Sequence, residues 1–345
     1  MKNIYDLNKD ELTEYIKPEP KYRAEQIYTA LHKGTDFDKI NIPKALKDKI
    51  SAEFYTDLPE VVREHESADG TKKFLLKLCD GQLIETVLLK QDYGNTVCVS
   101  SQVGCKMACA FCASGRDGFV RGLSAGEMLG QVIFLNKTDK ISHIVIMGSG
   151  EPFDNFDSTV NFLRLTTSPD GINIGARNIS VSTAGIVPKI REFADLKLQV
   201  NLCISLHAPN DKIRATIMPI AKAYSITELV DAAKYFFEKT KRRVIFEYSL
   251  IDSVNCAPEH ALELSKLLRG FPTHVNLINL NKTPDSALQP PTRTVAMKFM
   301  DTLIKSGTSC TMRKSRGDDI AAACGQLRNK FVLQNTTTDS GNKTE

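Results

Sequence analysis

The chain has 345 residues, with 45 Lys and Arg against 41 Asp and Glu, giving a formal charge of +4. That length accommodates one large domain and a smaller one, and 42% hydrophobic residues suffice for a full core. No apolar run approaches a membrane span, and the N-terminus MKNIYDLNKDELTEY lacks the apolar stretch of an export signal, so the reading is of a cytoplasmic, non-membrane protein; the mild charge permits nucleic acid without demanding it.

Residues 1–60 read as short helices. KDELTEYI is followed by the KPEP break. KYRAEQIYTALHK puts Tyr22, Ile27, Ala30 and Leu31 near one face, and IPKALKDKI has Pro43 at a helix start. Lys and Arg stand between the apolar positions. The module is therefore read as an RNA-binding accessory domain, against the plainer alternative of a solvated helical cap.

Residues 61–100 change period. KFLLKLCDG and QLIETVLLK, joined at a DG turn, read as a β-hairpin that links the helical module to the main domain. A glutamate midway along the second apolar strand, Glu85, is unusual; the polar face of a hairpin would also explain it.

Residues 101–330 repeat a strand–helix rhythm. ISHIVIMGSG, ARNISVSTAG, QVNLCISLHAP, RRVIFEYSLI and THVNLINLN are strands, and VPKIREFADL, SITELVDAAKYFFEKTK and PEHALELSKLLRG are among the helices between them. Such alternation means parallel strands with crossover helices, and about six units suggest an α/β partial (βα)6 barrel. Glu151, Ser182, Ser205, His207 and Asn281 fall at strand ends, the active-site face of barrel folds. The tail 331–345, NTTTDSGNKTE at its end, is polar and reads as disordered.

Nine cysteines stand at 79, 98, 105, 109, 112, 203, 256, 310 and 324. An odd number in a large chain argues against a disulfide framework and for a reducing compartment. CKMACAFC brings Cys105, Cys109 and Cys112 together on one stretch. Three thiolates without an evident fourth suit an iron–sulfur cluster with one open iron. Zinc, with His143 or Cys98 as fourth ligand, and a plain core or redox role remain open at this level. Cys324, in AAACGQL, would pass as a buried small hydrophobe but for Arg316, Asp318 and Asp319 just upstream and Gly325 beside it.

CKMACAFC resembles the cluster loop of radical S-adenosylmethionine enzymes. Taken with the surrounding VCVSSQVG and ASGRDGFVRGLSAGEMLGQV, the GSGEP turn, SLHAP and RKSRGDDIAAACGQL, it resembles the bacterial RNA adenosine C2-methyltransferases over residues 20 to 328. The resemblance implies a radical SAM barrel, a [4Fe–4S] cluster on Cys105, Cys109 and Cys112, and S-adenosylmethionine held by Gly150, Glu151, Ser182, Ser205, Leu206, His207 and Asn281. It implies that Cys324 carries the methyl group, that Cys98 resolves the RNA adduct by forming a disulfide with it, and that Glu85 accepts the C2 proton. The implied substrate is an adenosine of large-subunit (23S) ribosomal RNA and, in some members, one beside the tRNA anticodon. Two S-adenosylmethionine molecules are used per turnover, through an S-methylcysteine and a 5′-deoxyadenosyl radical. An electron donor such as flavodoxin or ferredoxin and a monomeric state are expected. The family usually reads GMGEP; this chain has Ser149 in place of that methionine.

Arg23, Lys33, Arg116, Arg121, Arg313, Lys314 and Arg316, with Phe119 between two of the arginines, are candidate RNA contacts. Three alternatives remain: a related enzyme that methylates C8 of the adenosine and confers antibiotic resistance, a zinc-dependent RNA-binding module, and a structural role in ribosome assembly. RKSRGDD favours the C2 type.

Overall fold

The computed structural model describes residues 1–283 and 286–327; the tail 331–345 lies outside the described residues. Strands β1 (Lys2–Asn3) and β2 (Phe54–Tyr55) pair in parallel and bracket three helices, α1 (Lys9–Tyr15), α2 (Lys21–His32) and α3 (Lys44–Glu53). Asn8 starts α1 in a capping box with Glu11, each side chain accepting from the other's backbone N–H. The buried face of α2 is Ala24, Ile27, Tyr28, Leu31 and His32. Tyr22, expected on that face, is 57% exposed, with the Arg23 guanidinium against its ring. At 100° per residue Tyr22 points nearly opposite to Ala24, so the apolar stripe begins at Ala24, two residues later.

Four strands follow: β3 (Glu60–Glu66), β4 (Lys72–Lys77), β5 (Leu83–Leu89) and β6 (Asn95–Cys98). The first three are antiparallel, and β4 and β5 form the expected hairpin, with Leu75 opposite Glu85 and Lys73 opposite Val87. β5 continues antiparallel onto β6, which pairs in parallel with β9 (Ile141–Ile146), so the hairpin extends the main sheet. Between them lie a short clip of β7 (Gln102–Gly104) and β8 (Phe119–Gly122), and helix α4 (Ala125–Asn136).

From β9 the rhythm is regular. α5 (Phe156–Thr167), β10 (Ile179–Thr183), α6 (Val187–Asp195), β11 (Asn201–Ser205), α7 (Asp211–Ile217), α8 (Ile226–Thr240), β12 (Val244–Leu250), α9 (Pro258–Leu267), β13 (Thr273–Asn279), α10 (Arg293–Lys305) and β14 (Cys310–Arg313) succeed one another along the chain. The ten-stranded sheet runs β14-β13-β12-β11-β10-β9-β6-β5-β4-β3, with β6 and β9–β14 parallel. Six helical crossovers join those seven parallel strands, as a partial (βα)6 barrel requires. Fully buried strand residues such as Ile144, Val181, Leu202 and Phe246 share one core with Ile27, Leu46 and Ile50 of the N-terminal helices. Each such side chain contributes about 1.5–3 kcal/mol through burial. After β14 the chain crosses the open side of the sheet, and Ala322 and Leu327 pack on Val87, Leu89 and Cys98.

Candidate active site

The cysteine loop grows out of the β7–β8 clip. Gly104 sits at φ +76, where an added Cβ would lie 2.0 Å from the Gly118 carbonyl oxygen, so only glycine closes the base of the loop. The Cys105 N–H donates to that same carbonyl at 3.0 Å, the Ala110 N–H to the Ile217 carbonyl at 2.9 Å, and the Ala113 N–H to the Gly325 carbonyl at 2.7 Å. Cys105, Cys109 and Cys112 thereby line one cleft.

Burial pushes the Cys105 thiol up to about 12 and Cys109 higher still, and the Cys112 sulfur adds to both shifts. Three thiolates this close therefore need cationic metal between them. Among the described residues no group of three or more His, Cys, Asp or Glu is arranged around a single metal ion. The zinc reading needed a fourth ligand, and neither candidate lines this cleft. The His143 ring bonds Ser142 Oγ and meets Tyr93 edge-on, while Cys98 ends β6 and lines a second cavity. A set of three sulfurs fits a four-iron cluster with one iron left open.

Gly150 and Glu151 form the floor of the turn after β9. Gly150 has φ +109, and a Cβ on it would come within 2.6 Å of Gln102 Cβ. The Glu151 N–H donates to Gln102 Oε1, and the Glu151 carboxylate accepts from the N–H groups of Phe153 (3.0 Å) and Ala184 (2.6 Å). Burial raises the Glu151 carboxyl to about 7; those N–H groups and the Thr183 side chain pull the other way. A carboxyl balanced so near neutrality becomes fully ionised when an ammonium group sits beside it. Ser149, the departure from the family's methionine, lies 3.3 Å by its Oγ from Ser114 Oγ, which donates to the Leu327 carbonyl at 2.9 Å. The smaller polar residue thus joins the turn to the cysteine loop and to the C-terminal segment.

Ser182, Ser205, His207 and Asn281 line the same cleft from the ends of successive strands. His207 adopts φ +53, and its Nδ1 accepts the Ser249 N–H at 2.9 Å, which puts the proton on Nε2. Burial, then the nearby Arg214, lowers its pKa to about 3, so the ring stays neutral. Phe111 meets it edge-on at 4.7 Å. Leu206 is different: its side chain belongs to the core, it does not line the cleft, and its N–H donates to the Glu247 carbonyl.

Two groups here escaped the sequence reading. Arg214 on α7 is wholly buried and donates to the carbonyls of Ala184 (2.7 Å), Ser205 and Leu206, tying α7 to the ends of β10 and β11. Burial lowers it to about 10, and it stays cationic at neutral pH. Glu247, from β12, lines the cleft and accepts from Asn276 Nδ2 at 2.9 Å. Nothing in DKIRATI or VIFEYSL marks either one; only the fold brings them in.

Cys324 lines both cavities, as do Met147, Ile278, Asn281 and Arg313. The second cavity is walled by Val87, Leu89 and Cys98 on one side and Thr311–Arg316 on the other. Asn281 Nδ2 donates to the Cys324 carbonyl at 3.0 Å, and the Ser315 hydroxyl to Asn281 Oδ1. Desolvation raises the Cys324 thiol, and the Arg313 guanidinium offsets it. Cys98 is pushed up to about 12 by burial and then by Cys324. All nine cysteines are free thiols. Glu85 is buried on β5, paired with Lys73 at 3.1 Å, and lines neither cavity; it shares a face with Val87 and Leu89, which do.

Of the candidate RNA contacts, Arg313 lies inside the site, its Nη1 3.5 Å from Glu247 Oε1, and Lys314 and Arg316 line the second cavity. Arg121 is a strut: it grips Glu127 with two nitrogens at 2.8 Å and Asp80 with a third. The Phe119 ring is covered by Lys106 Nζ at 4.2 Å. Arg23 bonds Gln26 on α2, and Lys33 is exposed at its end.

A family model described as the radical SAM superfamily matches residues 99–264. A protein of Clostridium tetani named "Probable dual-specificity RNA methyltransferase" is 47% identical over 343 residues, covering 97% of this chain and 98% of that one. A Clostridium perfringens protein of the same name is 48% identical over 340 residues, with 96% and 98% covered. The crystal structure of a radical SAM methyltransferase from Sphaerobacter thermophilus superposes with a TM-score of 0.92 at 42% identity, covering 95% of this chain and 99% of that one.

Proposed function

Because the chain belongs to the dual-specificity RNA methyltransferases of the radical SAM superfamily, we propose that it methylates C2 of an adenosine in 23S ribosomal RNA and, as its second substrate, an adenosine next to the tRNA anticodon. Its cofactors are a [4Fe–4S] cluster and S-adenosylmethionine. When bound, they supply the methyl group and the radical that activates it, with two S-adenosylmethionine consumed per product. Cys105, Cys109 and Cys112 would hold the cluster, and Gly150, Glu151, Ser182, Ser205, the Leu206 backbone, His207 and Asn281 the S-adenosylmethionine.

The observation that carries the reading is the position of Cys324 on the wall shared by two cavities, one with the three cysteines and one with Cys98. A carbon borne on Cys324 Sγ is presented to the cofactor on one side and to a flipped adenine on the other. Arg313 favours the thiolate that accepts the methyl group. Glu85 takes the C2 proton, and the adduct's unpaired electron would return to the bound cofactor. Cys98 Sγ then bonds to Cys324 Sγ, the S–CH2 bond breaks, and its electron pair stays on the carbon, which takes a proton and leaves as the product methyl. The disulfide is reduced by an external dithiol before the next cycle. A flavodoxin or ferredoxin class donor, a monomeric state and a cytoplasmic setting complete the proposal. RKSRGDDIAAACGQL supports C2 over C8, and both its aspartates are engaged, Asp319 by Ser67 and Asp318 by Gln326.

The test combines product identity with an asymmetry between the two cysteines. Nucleoside mass spectrometry should give 2-methyladenosine; product that co-elutes only with 8-methyladenosine reverses the choice. Cys324→Ala should form neither S-methylcysteine nor RNA adduct. Cys98→Ala should accept the methyl group and accumulate a covalent protein–RNA species on a denaturing gel. C2 methylation by Cys324→Ala would overturn the carrier role.

A further inference from the structure

Lys73 is the most enclosed lysine of the ion pairs in the described residues, and it lines neither cavity. It stands on β4 opposite Val87, next to Glu85 on the same face of β5. Its Nζ lies 3.1 Å from Glu85 Oε1 and donates to the Ala321 carbonyl at 3.0 Å; the two side chains are only 12% and 7% exposed. An ammonium withdrawn from water is held by such partners or not at all. One of these partners is a buried carboxylate within β5. The other is a backbone carbonyl three residues before Cys324, on a residue held in the left-handed region at φ +51. The same loop is fixed beside it by Asp319 on Ser67 and by Gly317 on Asp69, both from the turn that leads into β4.

We propose that Lys73 is a positioning residue for the proton-transfer step, holding Glu85 ionised in its buried setting and tying it through Ala321 to the loop that carries Cys324. This rests on the reading of Glu85 as proton acceptor and Cys324 as carrier. In that step the adenine C2–H bond breaks, the proton ends on a Glu85 oxygen, and the unpaired electron of the radical adduct would pass back to the bound cofactor, which leaves the ring closed-shell. Glu85 has to be charged before the proton arrives, although burial disfavours the charge; the adjacent ammonium supplies what water would. After the transfer the ion pair becomes a hydrogen bond to a neutral acid. The Ala321 contact remains and keeps the loop in register for the attack of Cys98 on the Cys324 sulfur.

The experiment compares Lys73→Met, Lys73→Gln and Lys73→Arg with wild type, using Glu85→Gln and Cys98→Ala as references. Each full-length protein is reconstituted anaerobically, and iron content, S-methylcysteine at 324, covalent protein–RNA species and product are measured with a 23S rRNA fragment. Lys73→Met should keep its iron and its methyl loading, yet turn over roughly a hundredfold more slowly and accumulate the adduct as Glu85→Gln does. Lys73→Gln, which retains a donor for the Ala321 carbonyl but no charge, should stall at the same point. Lys73→Arg should recover most of the rate. If Lys73→Met loses its iron, Lys73→Gln decides. Turnover within about twofold of wild type in the deciding variant overturns the proposal, and so does methyl loading that falls in step with turnover, since a merely structural lysine gives that result. If Glu85→Gln and Cys98→Ala themselves leave no adduct, the premise has failed, a result that the reference lanes separate from a failure at Lys73 alone.

Discussion

At the scale of single residues, the charge balance around Cys324 decides its chemistry. Arg313 is the favourable partner of that thiol, and it is itself placed by Glu247, which Asn276 holds in turn. Arg313→Gln should raise the Cys324 pKa further, because desolvation then acts without its counterweight. Alkylation mapped to the Cys324 peptide should slow at neutral pH and recover as pH rises; an unchanged pH profile would remove Arg313 from this role. The candidate site was legible in the sequence where the chemistry lies along the chain: Cys105, Cys109 and Cys112 converge because eight residues of loop force them to. Cys98 and Cys324 were legible only through resemblance, since nothing local marks a pair joined by sheet geometry. Arg214 and Glu247 were not legible at all. Arg214 looks like any helical arginine until the fold shows it buried under three strand-end carbonyls.

At the scale of elements, the segment after β14 does the organising. It has no periodic pattern, and in the sequence only the surroundings of its one cysteine mark it. The structure makes it a strap across the open side of the barrel, bonded to the β3–β4 turn by Asp319, to β4 through Ala321, to the end of β13 through Asn281 and to the cysteine loop through Gly325 and Leu327. The β4–β5 hairpin, by contrast, was readable from its alternation and its DG turn, and the βα rhythm from its repeating apolar strands. Asp319→Ala should loosen the strap and leave the sheet intact. Hydrogen exchange should speed at the amides of Ala322 and Ala323, which bond Gly317 and Gln326, and stay unchanged along β5. Equal acceleration in β5 would mean that the strap and sheet open as one unit.

At the scale of the whole molecule, the N-terminal helices and the barrel share one core, and titration at their contact reports on global stability. His32 stacks on Tyr28 at 4.0 Å, and burial lowers its pKa from 6.5 to about 4. The unfolded chain therefore binds a proton between those values that the folded chain refuses, so stability is lost as pH falls through that window. His32 alone accounts for about 3 kcal/mol of that loss, and His207 acts in the same direction. His32→Phe should flatten the decline in urea-unfolding free energy between pH 6.5 and 4; an unchanged slope would show that other groups dominate. The strap has one more consequence, in the order of synthesis. Cys112 leaves the ribosome 212 residues before Cys324, and the contacts that close over it, Ala113 with Gly325 and Ser114 with Leu327, belong to the last described stretch of chain. At about 5–20 residues per second, the nascent cysteine loop stays open to iron delivery for about 10–40 s before its own C-terminal segment is there to cover it.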